Sequence, residues 1–341
     1  MDNKSTPYLS VVVTSRNDNH GGDMLKRMTI FVNCLIHQCN KYKVFCELVM
    51  VDWNSPDPTC LLDQVLPKPK ETDYLKIKYV VVPPVIHDRL NYSTKLGLYQ
   101  MIAKNVGIRR ASAEFVLCTN VDLLFSDEIF EYLAAKKMQS GKFYRAVRCD
   151  IPNSIDETLT VTEQLKFCRN NILKTLGKDR RFPIIKNDDS FLFKHKILNP
   201  LLYPASWLKR VLARKMTPIH RLDFDACGDF TLMSKSDWLK ISGYVELEMY
   251  SIHIDSMGLF SAAAMGIEQV LLPKKACAFH IAHTGGWEFA SPIEKLHFYS
   301  EKPSLEWWAV WQAGKEIFLN RKNFDINDEN WGLVKEELKE I

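Results

Sequence analysis

The stretch AKNVGIRRASAEFVLCTNVD, residues 103–122, contains a helix end, a strand and a polar exit in quick succession. A helix is predicted from about Leu98 to Arg110, and Phe115-Val-Leu-Cys118 reads as a short buried strand. The strand stops at Thr119-Asn120-Val121-Asp122, which places a carboxylate where the chain leaves the apolar run. Such an exit is either an ordinary turn with an acidic residue or the place where a sheet presents a metal ligand at its carboxyl edge.

Upstream, the chain alternates strand and helix. Leu9 to Thr14 is a β-branched run with polar flanks, and Met24, Leu25, Met28, Phe31, Val32, Leu35 and Ile36 recur at helical spacing behind Asp23, an N-cap candidate. Glu47 to Val51 is a second strand ending at Asp52-Trp-Asn-Ser55. Ile77 to Val82 is a third, stopped by Pro83-Pro84. This rhythm predicts an α/β fold with a mixed, mainly parallel sheet flanked by helices. In such sheets ligands bind outside the carboxyl ends of the strands. The polar exits at 15–18, 52–55 and 120–122 should therefore share one crevice.

The bulk properties exclude several classes. With 46% hydrophobic and 25% charged residues, the 341-residue chain has the composition of a globular protein, and a net charge of +4 is too small to argue for nucleic acid. The opening MDNKSTPYLSVVV lacks the pattern of an export leader, and no window approaches roughly 18 uninterrupted apolar residues. Nine cysteines, none in a C-x-x-C pair, argue against zinc-site spacing and a disulfide framework. The expected location is cytoplasmic.

Residues 151–222 lose the strand–helix rhythm and read as an α-rich insertion on the acceptor side, with a helix-like stretch from Val161 to Leu176 and a basic patch at 178–181. Within it, residues 206–215 are amphipathic, with Trp207, Leu208, Val211 and Leu212 opposed by four basic residues. That pattern suits a solvated surface helix or a peripheral membrane contact. Regularity returns with a strand at Phe230 to Met233, a helix at Ser236 to Ile241, and an apolar helix from Ser256 to Met265 closed by Gly266. Strands follow near Gln269–Leu272 and Ala276–Phe279. The expected organisation is one domain over 1–300 and a helical tail over 301–341 packed on it.

Taken in order, these segments resemble a GT-A glycosyltransferase of the family 2 type. VVVTSRND resembles the first strand and its nucleotide-facing loop, and ELVMVDWNSPD the second strand with its acidic residue Asp52. Asn105-Val-Gly-Ile108, Ala113-Glu114-Phe115 and Asn120-Val121-Asp122 resemble the run leading into the Asp-x-Asp motif, with Asn120 in place of the first Asp. CGDFTLMSKSDWLKISGYVE resembles the acceptor-side strand, helix and turn. HIDSMGLFSAAAMG resembles the segment with the catalytic carboxylate, Asp255 and Gly266 keeping their spacing.

The resemblance implies roles that the residue chemistry can be checked against. Asp255 would be the general base, with helix N-cap as its ordinary alternative. Thr14, Arg16, Asp52, Lys104, Asn105, Asn120 and Asp122 would line the nucleotide-sugar site. Asp229 and Trp287 would meet the acceptor. Asp122 would hold a divalent cation, Mn2+ or Mg2+, joined by His283 and His280 from FHIAHTGGW; a neutral Asn120 binds metal poorly and leaves metal dependence open. The implied activity is inverting transfer of a sugar from a UDP- or GDP-linked donor to a glycan or lipid-linked acceptor, as in polysaccharide biosynthesis. A non-catalytic nucleotide-sugar-binding protein and a sugar nucleotidyltransferase are the alternatives, the latter lacking its Gly-rich opening loop here.

Overall fold

The computed structural model describes residues 6–177, 222–283, 291, 293 and 300–341. The 178–181 patch, the 206–215 segment and Trp287 lie outside the described residues.

The main sheet is built on β1 (Leu9–Ser15), with β2 (Cys46–Trp53), β3 (Leu75–Val82) and β4 (Phe115–Cys118). These four run parallel in the order 3-2-1-4. Side chains alternate across each strand. Val11 and Val13 of β1 and Leu48 and Met50 of β2 pack under α1 (Met24–Tyr42). Val12, Val49 and Val51 face the opposite way, under α4 (Gln100–Arg110). β1, β2 and β4 are buried on both faces, which is why they read as largely apolar runs.

Beyond β4 the sheet continues through β9 (Thr231–Ser234), β6 (Lys142–Arg145) and β10 (Glu268–Leu271), with β9 antiparallel to both β4 and β6. A second sheet has the order β5 (Leu123–Phe125), β11 (Cys277–Ile281), β7 (Val147–Ile151) and β8 (Lys174–Leu176). It springs directly from the exit of β4. The α/β class with a mainly parallel sheet is therefore the one observed.

Several local expectations change. Asp23 occupies the N-cap position of α1 in a left-handed conformation, but its side chain makes no capping bond; Met24 N instead donates to Asn19 Oδ1 at 3.3 Å. The helix predicted over 161–176 ends at Asn170 as α6 (Val161–Asn170), begun by a Thr160–Glu163 capping box. Its last part is β8, hydrogen-bonded to β7. The tail is not only helical. After α9 (Trp307–Asn320) the chain closes with β12 (Lys339–Glu340), antiparallel to β3, so residues of the tail complete the main sheet.

The Asn105-x-Gly107 pair has a packing explanation. A Cβ on Gly107 would lie 2.4 Å from Val12 Cγ1, so glycine lets α4 close down on β1. Asn105 Nδ2 donates to Tyr244 O (2.8 Å) and Glu246 Oε1 (2.9 Å), and its Oδ1 accepts from Tyr244 N (2.8 Å), pinning the turn after α7 (Lys235–Lys240). Gly107→Ala is expected to destabilise the chain by about 1–3 kcal/mol, because overpacking outweighs the gain in helix propensity. Urea unfolding measures this; an unchanged or raised midpoint would show that the contact can relax.

Candidate active site

The exits of β1, β2 and β4 lie on one edge, with the strand order reversing between β1 and β4. Asn17 joins the first two exits: its N–H donates to Ser55 Oγ at 2.7 Å and its Nδ2 to Cys60 O at 2.8 Å. Arg16 lies at the same edge, donating to Gly97 O at 2.8 Å and pairing with Asp18 at 2.8 Å.

At the β4 exit the chain turns into β5, which pairs antiparallel with β11. Ile281 N donates to Asp122 O at 3.0 Å, and this brings His280 and the following residues beside the Asp122 side chain. Asp122 Oδ2 lies 3.6 Å from His280 Nε2 and 3.4 Å from His283 Nε2. The three residues offer ligand atoms that all fall within 4.8 Å of one another. Asp122 Oδ1 is buried and has no hydrogen-bond partner among the described residues. Burial pushes the Asp122 carboxyl up, but the charges and hydrogen bonds of the two imidazoles outweigh it and hold the group well below the usual range. Burial alone would lower His280; the Asp122 charge, with hydrogen bonding to Asp122 and Asp150, raises it to about 9 against the opposing pull of Arg148. A buried carboxylate with one unpartnered oxygen, its other oxygen facing two imidazoles, fits a divalent cation.

Asn120 is held in a network that explains its amide. Its Oδ1 accepts from Gln100 Nε2 (2.7 Å) and from Lys104 Nζ (2.9 Å), and its Nδ2 donates to Asp229 Oδ1 (2.6 Å). Lysine only donates and carboxylate only accepts, so a residue offering both functions is required between them. Asn120→Asp would set a carboxylate against Asp229. The expected result is a loss of about 1–3 kcal/mol in unfolding free energy and no tighter Mn2+ binding. Tighter binding at unchanged stability, measured by calorimetry and urea unfolding, would contradict this reading.

Several of the residues expected at the donor and acceptor sites also serve as internal braces. Lys104 is fully buried with its ammonium on Asn120 Oδ1 and on Gly228 O (2.8 Å), and burial pulls it below the usual lysine range. It is not placed to reach a phosphate. Asn105 braces the 244–246 turn as described above. Thr14 is buried with its hydroxyl on Val51 O at 3.1 Å. Asp52 is buried, raised by that burial, and accepts from Leu62 N (2.8 Å) and Ser55 Oγ, so it organises the loop after β2. Asp229 is also buried, with one oxygen on Asn120 and the other on Arg148 Nη1 at 2.7 Å.

Asp255 lies in the first turn of α8 (Ile254–Ala264), whose N-cap position is His253, so its expected alternative as the N-cap itself does not hold. Its Oδ2 accepts from Gly228 N at 2.8 Å, in the short 3-10 turn Cys227–Asp229. It is partly exposed, unlike Asp229. The turn thus links Asp255 to Lys104 through Gly228, and Asp229 links it to Asn120 and Arg148.

Arg148 and Asp150 were not singled out by sequence reasoning. Arg148 Nε donates to Asp150 Oδ1 at 2.6 Å, and its Nη2 lies 2.9 Å from His280 Nδ1. The available signal was RCD at 148–150: opposite charges two apart on a strand share a face.

No family model matches the chain, and no curated protein matches it in sequence. Among solved structures, it is similar to residues 1–349 of S. aureus TarS in complex with UDP-GlcNAc, with 16% identity and a TM-score of 0.44 over 92% of this chain and 72% of that one. It is similar to the same TarS fragment on its own (16% identity, TM-score 0.42, 92% and 71% covered). S. aureus TarS also matches, at 16% identity and a TM-score of 0.43, with 92% of this chain and 43% of that chain covered.

Proposed function

We infer that this chain is a glycosyltransferase that moves a sugar from a nucleotide-diphospho-sugar, UDP- or GDP-linked, to a glycan or lipid-linked acceptor. The observation that carries the reading is the Asp122–His280–His283 cluster at the carboxyl edge, beside the reversal of strand order. Loss of a nucleoside diphosphate develops negative charge on the leaving oxygens. A divalent cation held here supplies Lewis-acid neutralisation of that charge. Two imidazoles in the donor set favour Mn2+ over Mg2+, which prefers oxygen ligands.

Arg16, at the β1 exit, is the basic side chain placed to meet the donor. Asp255 is the carboxylate that takes the acceptor's hydroxyl proton. One displacement at the anomeric carbon then inverts its configuration. Among the described residues no helix is long and apolar enough to cross a membrane; the proposed cytoplasmic location and a peripheral contact through 206–215 are separate expectations.

The non-catalytic alternative drew on Asn120, and the network around that residue gives it another reason to be there. The test is incubation of UDP- and GDP-sugars with Mn2+ and a panel of glycan acceptors. Release of UDP or GDP with a glycosylated product is expected. Pyrophosphate release would identify a nucleotidyltransferase, and nucleotide binding without turnover a binding protein.

A further inference from the structure

His280 and Asp150 are paired neighbours on the parallel strands β11 and β7, with Arg148 two residues away on the same face of β7. Asp150 is fully buried, and its Oδ1 lies 3.4 Å from His280 Nδ1 while accepting from Arg148 Nε at 2.6 Å. Arg148 Nη2 lies closer to the same imidazole nitrogen, at 2.9 Å. A guanidinium can only donate. In the neutral imidazole, the form that ligates a metal, Arg148 as placed therefore favours a bare Nδ1, and with it a proton on Nε2, the nitrogen that faces Asp122. Ligation through Nε2 needs the reverse, with the proton on Nδ1 given to an acceptor. Asp150 is the acceptor within reach.

We propose that Asp150 and Arg148 are opposed positioning residues for His280: Asp150 turns the Nε2 lone pair toward Asp122, and Arg148 works against it by occupying Asp150 and presenting a donor to Nδ1. This rests on the cation reading of the Asp122 cluster. Arg148 also holds Asp229 at 2.7 Å, and Asp229 belongs to the turn whose Gly228 binds Asp255. A shift of Arg148 away from His280 is thus felt where the acceptor base is held.

Two neighbouring substitutions should act with opposite sign. Asp150→Asn is expected to weaken Mn2+ binding by about 10- to 100-fold. Arg148→Gln removes the Nη2 group that reaches Nδ1, on a shorter side chain, together with a unit of positive charge, and is expected to tighten it by about tenfold. Calorimetric titration of the full chain with Mn2+ reads both. The 15N spectrum of the histidine-labelled protein without added metal, recorded above pH 9 where the imidazole is neutral, reads the cause: the share of the Nδ1–H tautomer of His280 should rise in Arg148→Gln and fall in Asp150→Asn. Arg148→Lys keeps the charge without the planar fork, and should shift the spectrum in the direction of Arg148→Gln even where the glutamine variant folds poorly.

Weakened Mn2+ binding in both Asp150→Asn and Arg148→Gln would reduce Arg148 to a brace and overturn the opposition. An imidazole spectrum unmoved by Arg148→Lys or Arg148→Gln would also overturn it. A wild-type chain that binds no Mn2+ would instead sink the cation reading, with the metal-free spectra still deciding whether Arg148 and Asp150 compete.

Discussion

Asp122→Ala is expected to abolish detectable Mn2+ binding and to lower kcat/KM for sugar transfer by about three orders of magnitude or more. Asp122 is the sole carboxylate in the three-residue cluster. Its Oδ2 faces both imidazoles, and its buried Oδ1 has no hydrogen-bond partner among the described residues. Removing it leaves two nitrogen ligands and no anionic charge. The Lewis-acid contribution at such a site is worth several kcal/mol, and each ~1.4 kcal/mol is a factor of ten in rate. The fold should survive, since β5 is registered on β11 through backbone bonds, including Ile281 N to Asp122 O. Asp122→Asn is the sharper variant, keeping shape while deleting charge. Its His280 should lose the main influence that raises it to about 9 and titrate lower. Nucleotide binding that depends on Mn2+ and survives Asp122→Asn would place the cation elsewhere.

The parallel half of the fold was legible because β1, β2 and β4 are buried on both faces, and amphipathic or glycine-marked helices separate the strands. The second sheet was not. β5, β7 and β8 are short, and β7 carries Arg148 and Asp150 at alternate positions, so no apolar run marks it. The C-terminal strand escaped for a similar reason: Lys339 and Glu340 are exposed, and only pairing with β3 makes them a strand.

The cluster of Asp122, His280 and His283 was legible because each follows an apolar run and so falls at a strand end. What sequence could not supply was the direction in which each polar side chain is used. Lys104 and Asn105 lie on the same helix as Gly107, close to the expected crevice, yet their side chains turn to Asn120 and Gly228 and to the 244–246 turn. Asp52 stands at a strand end like Asp122, but a loop amide and a serine hydroxyl take up its oxygens. Strand-end position identifies candidates; the surrounding hydrogen-bond donors decide which are left for a ligand.

Exposure, rather than free oxygens, favours Asp255 as the proposed acceptor base. Asp229 is buried and engages Asn120 through one oxygen and Arg148 through the other, whereas Asp255 is partly exposed and its oxygens accept from two backbone amides, Gly228 N and Ser256 N, both at 2.8 Å. Asp255→Asn can keep the Gly228 bond through its amide oxygen, giving up the local one from Ser256 N and the ability to take a proton, so it removes the base while keeping the brace to Gly228. The expected result is a fall in kcat of about 10²- to 10⁴-fold, the range for general-base catalysis. Donor KM and the unfolding midpoint should stay close to wild type. A loss of stability with the same loss of rate would show that the carboxylate's charge is needed to hold Gly228. A kcat within tenfold of wild type would rule Asp255 out as the base, and Glu248 and His253 would be examined next. Glu248 already accepts from Asn91 N at 2.6 Å, while His253 lies two residues before Asp255 with its ring against Trp307 at 5.2 Å. Burial pulls His253 below the usual histidine range, which favours its neutral, proton-accepting form. In that outcome His253→Gln, rather than Asp255→Asn, would carry the large loss in kcat.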